Sequence, residues 1–262
     1  MPSPYLVIAL DAARAAADVV RRYYRKNLAV TVKADKSPVT QADVETEQAI
    51  RAVIGERFPT HGFYGEETGS SGLDNEYLWL VDPIDGTKAF VREYPMFSTQ
   101  IALMHRGKLI VGVSSAPQYG RHGGNGTNGE LAYAEIGQGA WLDDRPIKVS
   151  DIDTIEGAAI SAGNLKTLAL GNAWSKYGAL IARANRIRGY GDFLHYHLLA
   201  SGKIDIVIES DVNILDIAAL SVIVEAAGGR FTDLSGAPIG LQTTTVLATN
   251  GKLHEPVLAA LR

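Results

Sequence analysis

The run Asp82-Pro83-Ile84-Asp85-Gly86-Thr87 sets two carboxylates three residues apart, directly after the apolar segment Tyr77-Leu78-Trp79-Leu80-Val81. In a tight turn two such acids can converge on a common point. Proline pre-sets φ at the second position, and Gly86 lets the backbone approach a ligand closely. Carboxylates gathered at the rim of a core repel each other and are partly desolvated. That penalty is on the order of several kcal/mol, and a divalent cation removes it. Oxygen-only ligands suit Mg²⁺ or Mn²⁺. Gly86-Thr87 then opens a helical turn through Arg92, whose first N–H groups can hold a phosphate. Alone, an Asp-x-x-Asp-Gly run reads more simply as a hairpin turn with a surface cap. Three further acidic features at element boundaries shift that balance: Glu66-Glu67 after Gly65, Asp43 in Ser37-Pro38-Val39-Thr40-x-x-Asp, and Asp216 opening Ile217-Ala218-Ala219-Leu220.

The elements that must position these acids follow from periodicity. Leu6, Ala9, Leu10, Ala13, Ala16, Ala17 and Val20 recur at helical spacing, predicting a helix over 5–24. Thr40 is the expected N-cap of a second helix, with Asp43 in its first turn and Pro59 ending it. The segment 77–81 reads as a buried strand. Strands are expected at 98–104, 109–115 (joined through Arg106-Gly107), 131–136 and 146–150. A compositional change near residue 150 divides the chain into an N-terminal half, 1–150, carrying the metal motifs, and a C-terminal half, 151–262, completing the site. The second half reads as Ala158 to Ser161, a helix over 165–180, the segment 186–190, a helix over 193–200, a strand over 204–209 and a helix over 215–227. Without a strict βαβ period this mixture favours a layered α+β or α/β architecture over a barrel or a Rossmann sheet. Gly124, Gly126 and Gly129 satisfy G-x-G-x-x-G, but the segment that follows is strand-like and offers no helix N-terminus to a phosphate.

Composition narrows the function classes. The 262 residues are 46% hydrophobic and 21% charged with a net charge of −4, and no basic stripe is present to neutralise nucleic-acid phosphates. There is no cysteine, which removes disulfides, thiolate zinc sites and cysteine nucleophiles. The N-terminal helix carries Asp11, Arg14 and Asp18 and so reads as amphipathic, not as a signal or a span. The expectation is a cytoplasmic protein with neither a membrane nor a nucleic-acid partner.

Four segments together resemble the inositol monophosphatase superfamily: Gly65-Glu66-Glu67, Trp79 through Thr87, Leu215-Asp216-Ile217-Ala218-Ala219, and Glu225-Ala226-Ala227-Gly228-Gly229. One departure is Leu215, where the family usually has tryptophan. The resemblance implies an alternating αβαβα sandwich and a Mg²⁺-dependent phosphomonoesterase using two to three ions, with Mn²⁺ as a substitute. It implies that Glu66, Asp82 and the Ile84 carbonyl bind one ion. Asp82, Asp85 and Asp216 would bind a second. Thr87 and Asp43 would orient and deprotonate a metal-bound water. Glu66 joins them among the catalytic residues because it would face a weaker third ion. The Gly86 and Thr87 N–H groups would hold phosphate oxygens. Lys33 and Asp35 fall near the family's mobile metal-site loop. The resemblance further implies a homodimer, with the second helix and Val91-Arg92 near the partner.

The identity of the phosphate ester rests on other residues. Asp85 through Arg92 and Arg188-Gly189-Tyr190-Gly191-Asp192-Phe193-Leu194 resemble the histidinol-phosphate phosphatase branch. Asp85, Asp192 and Glu209 are the substrate-contact candidates, Glu209 because it matches a substrate-hydroxyl contact in the family. A carboxylate at Asp192 suits a cationic leaving group and disfavours neutral polyols. Its alternative reading is an N-cap of the following helix. His195 and His197, two apart on a helix, are poorly spaced for a metal, and His195 is the better pocket candidate. Lys88 and Arg92 read equally as phosphate-steering or solvated, and Trp79 reads as core. The rivals are an inositol or broad sugar-phosphate phosphatase, a nucleotide-bisphosphate phosphatase and, from another class, a non-catalytic metal- and anion-binding module, which would have no need of Thr87 and Asp43.

Overall fold

A computed structural model describes residues 2–26, 30–32, 38–120 and 129–262. Lys33, Asp35, Gly124 and Gly126 lie outside the described residues. Among those described, the helices are α1 (Pro4–Tyr23), α2 (Gln41–Arg57), α3 (Thr87–Val91), α4 (Lys166–Leu170), α5 (Trp174–Arg183), α6 (Asp192–Ala200), α7 (Ile214–Ala226) and α8 (His254–Leu261). Strands β1 (Val30–Val32) and β2 (Pro38–Thr40) form a small ribbon before α2. An eight-stranded sheet follows: β3 (Gly62–Gly65), β4 (Ser70–Ser71), β5 (Tyr77–Asp85), β6 (Ser98–His105), β7 (Lys108–Ala116), β8 (Glu130–Glu135), β9 (Gly139–Leu142) and β10 (Arg145–Ile147), in the order β10-β9-β8-β7-β6-β5-β3-β4. It is antiparallel except where β3 runs parallel to β5. A five-stranded sheet, β12-β11-β13-β15-β14, comprises β11 (Ala159–Ala162), β12 (Arg186–Arg188), β13 (Ile206–Ser210), β14 (Arg230–Thr232) and β15 (Thr245–Thr249).

Side-chain alternation explains the layering. In β5, Trp79 and Val81 face α1 and α2, where they pack with Leu6, Ala9, Ala13, Ile50 and Ile54. Leu78 and Leu80 face the other way, into a cluster with Phe193 of α6 and Ile217 and Leu220 of α7. The five-stranded sheet covers the far side of those two helices with Val207, Val246 and Ala248, and buries Ile206, Ile208 and Leu247 against α5 and α8. The order is therefore helices, sheet, helices, sheet, helices, the expected αβαβα sandwich. Helix α7, in the middle layer, buries ten of its thirteen residues, as a helix that is apolar all round must. It crosses β7 at Gly112, where any Cβ would collide with the Ala219 carbonyl.

Two expectations are corrected. The helix over 165–180 is two helices broken at Gly171, and the strand over 146–150 ends at Ile147. The Glu225 to Gly229 segment closes α7: Gly228 takes φ +93°, and the Gly229 N–H returns to the Val224 carbonyl at 2.9 Å.

Candidate active site

Residues three apart in a regular strand point to opposite faces, so β5 alone would separate Asp82 from Asp85. The register against β6 shifts between them, Asp82 pairing with Gln100 and Asp85 with Ser98, and this irregularity re-aims the second acid. The irregular strand end is held from inside and outside. Asp82 Oδ1 accepts the Ile84 N–H at 2.9 Å, and Thr99 Oγ1 donates to the Pro83 carbonyl at 2.8 Å. Gly86 takes φ +88° against the segment just before β6, where a Cβ would lie 2.6 Å from the Met96 carbonyl oxygen. Asp216 arrives from the first turn of α7, where its carboxylate accepts the Asn213 N–H (2.9 Å) and side-chain amide (2.8 Å).

Ligand oxygens of Asp82, Asp85 and Asp216 lie within 4.8 Å of one another. Burial, followed by the charges of Glu66, Asp85 and Asp216, pushes the Asp82 carboxyl well above the usual carboxylate range. Burial and the neighbouring charges of Asp192, Asp216, Glu209 and Glu66 do the same to Asp85. Asp216 is pushed up to about 7, chiefly by burial, with the Asn213 N–H opposing. A set of one buried and two half-buried acids offering only oxygen, and destabilised as anions by one another, is what a hard divalent cation relieves. The residues present fit such an ion.

Beside this cluster, Asp43 caps α2 in a box with Thr40: its Oδ2 accepts the Thr40 N–H and hydroxyl, each at 2.7 Å. Its Oδ1 lies 3.3 Å from Thr87 Oγ1, and that hydroxyl also reaches the Ile84 carbonyl at 3.0 Å. One hydroxyl proton thus has two acceptors. Burial raises the pKa of Asp43 against the hydrogen bonds from Thr40 and Thr87.

Glu47, one helical turn after Asp43, is absent from the sequence reading and is completely buried. It accepts the N–H of Glu67 at 2.7 Å and of Thr68 at 2.8 Å, together with the Thr68 hydroxyl. Gly65 packs so closely on this carboxylate that any Cβ would overlap it. Arg51, a further turn along, donates to Thr68 Oγ1 and the Gly69 carbonyl. The loop presenting Glu66 is therefore gripped by the same face of α2 that presents Asp43. The available signal was the i, i+4, i+8 spacing of Asp43, Glu47 and Arg51.

A cleft opens next to the acids, lined by Asp85, Asp216, Asp192, Glu209, Asp211, Asn164, Tyr196, Val212, Ile217 and Leu220. Five carboxylates line it and, among the described residues, no cationic side chain does. The alternative reading of Asp192 as a cap is not what the structure shows: Gly191 is the cap residue and no side chain caps the helix. Asp192 instead opens α6 with φ +46°, an uncommon backbone state for a residue with a Cβ. It stands at the exposed rim, where crowding by the cleft walls and the charge of Glu209 raise its pKa. Glu209 lies deeper. Its Oε2 accepts from His195 Nε2 (3.1 Å) and the Tyr196 hydroxyl (2.7 Å), and its Oε1 from the Asn164 N–H (3.2 Å). Burial alone would raise this carboxyl, but these partners outweigh it and hold the pKa below the ordinary value.

The remaining candidates fall elsewhere. His197 is directed away from Glu209 to Glu130 (2.7 Å) and Ser114 (2.9 Å). Lys88 and Arg92 are exposed. Trp79 is core, its Nε1 donating to His61 Nδ1. Leu215 is buried among α6 and α7 residues. Trp141 stacks on Tyr133, and Trp174 on Tyr177.

A layered sandwich with an acid cluster at a bulged strand end defines a class that this chain shares with known proteins. The model of the inositol monophosphatase family matches residues 1–262, and the chain belongs to that family. It is a phosphoric monoester hydrolase of that family, whose members are generally metal-dependent. Among individual relatives, the histidinol-phosphatase of Mycobacterium tuberculosis is 39% identical over 259 residues, covering 98% of this chain and 97% of its own. That of Chlorobaculum parvum is 31% identical, covering 99% and 97%. Among solved structures, the extragenic suppressor protein SuhB of Bartonella henselae superposes with a TM-score of 0.87 at 30% identity, covering 99% of both chains. An inositol monophosphatase from Anabaena superposes at 0.81 and 31%, covering 98% of this chain and 94% of its own.

Proposed function

We propose that the enzyme hydrolyses L-histidinol phosphate to L-histidinol and inorganic phosphate, as a step of histidine biosynthesis in the cytoplasm. The observation that carries this reading is the composition of the leaving-group cleft. Asp192 and Glu209, neither needed for the cation cluster, line it with no positive side chain nearby among the described residues. A leaving group bearing an ammonium and an imidazole matches two spare carboxylates through charge-assisted hydrogen bonds, whereas a neutral polyol leaves a carboxylate underused. Two relatives named histidinol-phosphatase support the same reading.

In this reading residues 1–150 carry the phosphate chemistry and 151–262 complete the site. Glu66, Asp82, the Ile84 carbonyl, Asp85 and Asp216 hold two to three Mg²⁺ ions, which Mn²⁺ can replace. Bound cations would acidify water and neutralise charge developing on the phosphoryl and departing oxygens. The Gly86 and Thr87 N–H groups, at the start of α3, hold phosphate oxygens. Thr87 passes its proton to Asp43 as its oxygen accepts one from the attacking water. Glu47 keeps Glu66 in place. Asp85 borders both the phosphate and the cleft, and Asp192 and Glu209 take the cationic alcohol. The working unit is a homodimer, α2 and the Val91-Arg92 region facing the partner; Val91 and Tyr94 there expose apolar surface. No nucleic acid or membrane takes part; among the described residues no helix is long and apolar enough to cross a bilayer.

The test is phosphate release with Mg²⁺ from histidinol phosphate, inositol phosphate, fructose bisphosphate and adenosine bisphosphate. Histidinol phosphate is expected to give the highest kcat/KM. A higher value for any of the others overturns the substrate assignment and leaves the phosphomonoesterase class standing.

A further inference from the structure

Both acids assigned to the alcohol are held through one hydroxyl in the core. Ser161 of β11 and His195 of α6 are both fully buried. Ser161 Oγ accepts the Tyr190 N–H at 3.2 Å and lies 3.4 Å from His195 Nδ1. On the other side of the ring, His195 Nε2 lies 3.1 Å from Glu209 Oε2.

The protons in this chain sort themselves. Glu209 is the acceptor of its pair, so the imidazole nitrogen facing it, Nε2, carries the hydrogen. A ring carrying that one hydrogen has a bare lone pair on Nδ1, into which the Ser161 hydroxyl, whose oxygen already accepts from Tyr190, can donate. Of the four lone-pair positions on the Glu209 carboxylate, the structure fills three, with His195, Tyr196 and the Asn164 N–H. One position on Oε1 is left for a donor entering the cleft. The same Ser161 oxygen, through Tyr190, anchors the turn before Asp192. Gly191 and Asp192 there are consecutive residues of positive φ, +70° and +46°. A turn of that kind persists only where neighbouring structure enforces it.

From this geometry we infer that Ser161 and His195 are specificity-positioning residues: one buried pair fixes Glu209 and the Asp192 turn together, and so sets recognition of a cationic alcohol without touching the phosphate chemistry. The inference rests on the substrate reading above and deepens it. Neither side chain lines the cleft, so both act through the two acids.

The experiment compares wild type, Ser161→Ala, His195→Gln and His195→Phe as full-length Mg²⁺-loaded enzyme, on histidinol phosphate and on p-nitrophenyl phosphate, whose leaving group carries no cation. Losing a hydrogen bond to a charged group corresponds to about a 10- to 100-fold change. His195→Phe is expected to raise KM for histidinol phosphate by that factor, while kcat/KM for p-nitrophenyl phosphate stays within about twofold. His195→Gln, whose amide can still donate to Glu209, should recover most of the loss. Ser161→Ala, a small change in volume, is expected to shift the ratio of the two substrates in the same direction, and carries the test if the phenylalanine variant does not fold. Nitrogen-15 NMR of the wild type, with His195→Gln assigning the signal, should show His195 protonated on Nε2 alone. Equal losses on both substrates, an unchanged ratio in Ser161→Ala, or a proton on Nδ1 would overturn the inference. A wild type with no preference for histidinol phosphate overturns the substrate reading and this inference with it. A preference that survives in Ser161→Ala and His195→Phe alike overturns this inference alone.

Discussion

Replacing Glu47 by glutamine separates the support of the Glu66 loop from the loop itself. The carboxylate accepts from donors on both oxygens, Glu67 N–H on Oε2 and the Thr68 N–H and hydroxyl on Oε1. However the new amide turns, its NH₂ faces at least one backbone N–H. The favoured orientation sacrifices the single bond to Glu67. A lost hydrogen bond to a charged acceptor is worth about 1.5–3 kcal/mol, which for a chain of this size lowers Tm by about 3–12 °C. The functional effect is expected to exceed the thermal one. Partners that orient a metal-binding carboxylate typically change metal affinity or activity by about 10- to 100-fold when removed, and the Glu67 N–H is the peptide group following Glu66. The assay is phosphate release titrated with Mg²⁺ at a temperature where the variant is fully folded, alongside melts with and without the ion. A rise in half-saturating Mg²⁺ of tenfold or more is expected. A melt lowered as expected with Mg²⁺ half-saturation unchanged would show that Glu47 only holds a loop together, and would refute the claim that it positions Glu66.

Two further outcomes follow from the acids. Asp216 has its carboxyl raised from 3.8 to about 7 in the protein without ions. A raised folded-state pKa contributes stability that is complete below the unfolded value and disappears as pH rises through the folded one. In chelator the melting temperature should therefore fall between about pH 4 and pH 7, and Mg²⁺ should restore it at the upper end; a chelator-treated protein that gains stability across that window contradicts the electrostatic account. Asp192→Gly removes a Cβ from a left-handed residue, a strain of about 1–2 kcal/mol offset in part by the freer unfolded chain. Its melting temperature should hold or rise slightly while the preference for histidinol phosphate over p-nitrophenyl phosphate collapses, and a retained preference would remove Asp192 from the cleft chemistry.

Thr40 and Asp43 were legible because an N-cap with an acid in the next turn is a local device, complete within four residues. The acid run after an apolar strand was legible for the same reason, and so was its convergence, but the sequence suggested a tight turn where the structure has a bulged strand. Asp82 and Asp85 share a side only because β5 slips against β6, and register irregularities are decided by the partner strand. Glu47 escaped because an acid on a helix near Gln41, Glu45 and Arg51 looks solvated; the loop at 65–69, distant in sequence, makes it an interior residue. Asp192 after glycine suggested a cap, and only the fold, with Gly191 in the cap position and no side chain capping α6, shows the carboxyl released from that duty. The break at Gly171 was written in the sequence, but the apolar residues on either side continued a helical spacing that hid it.

Helix α7 brings Asp216 to the acid cluster from within the core. It is wedged between both sheets, with Gly112 admitting its backbone to van der Waals contact with β7. Such a helix has no slack: it cannot slide by a fraction of a turn without opening voids on one side and overlaps on the other. The spacing between Asp216 and the acids of β5 is therefore gauged by aliphatic side chains that never meet the substrate. In this protein the tolerances of the reaction centre and those of the hydrophobic interior are a single set.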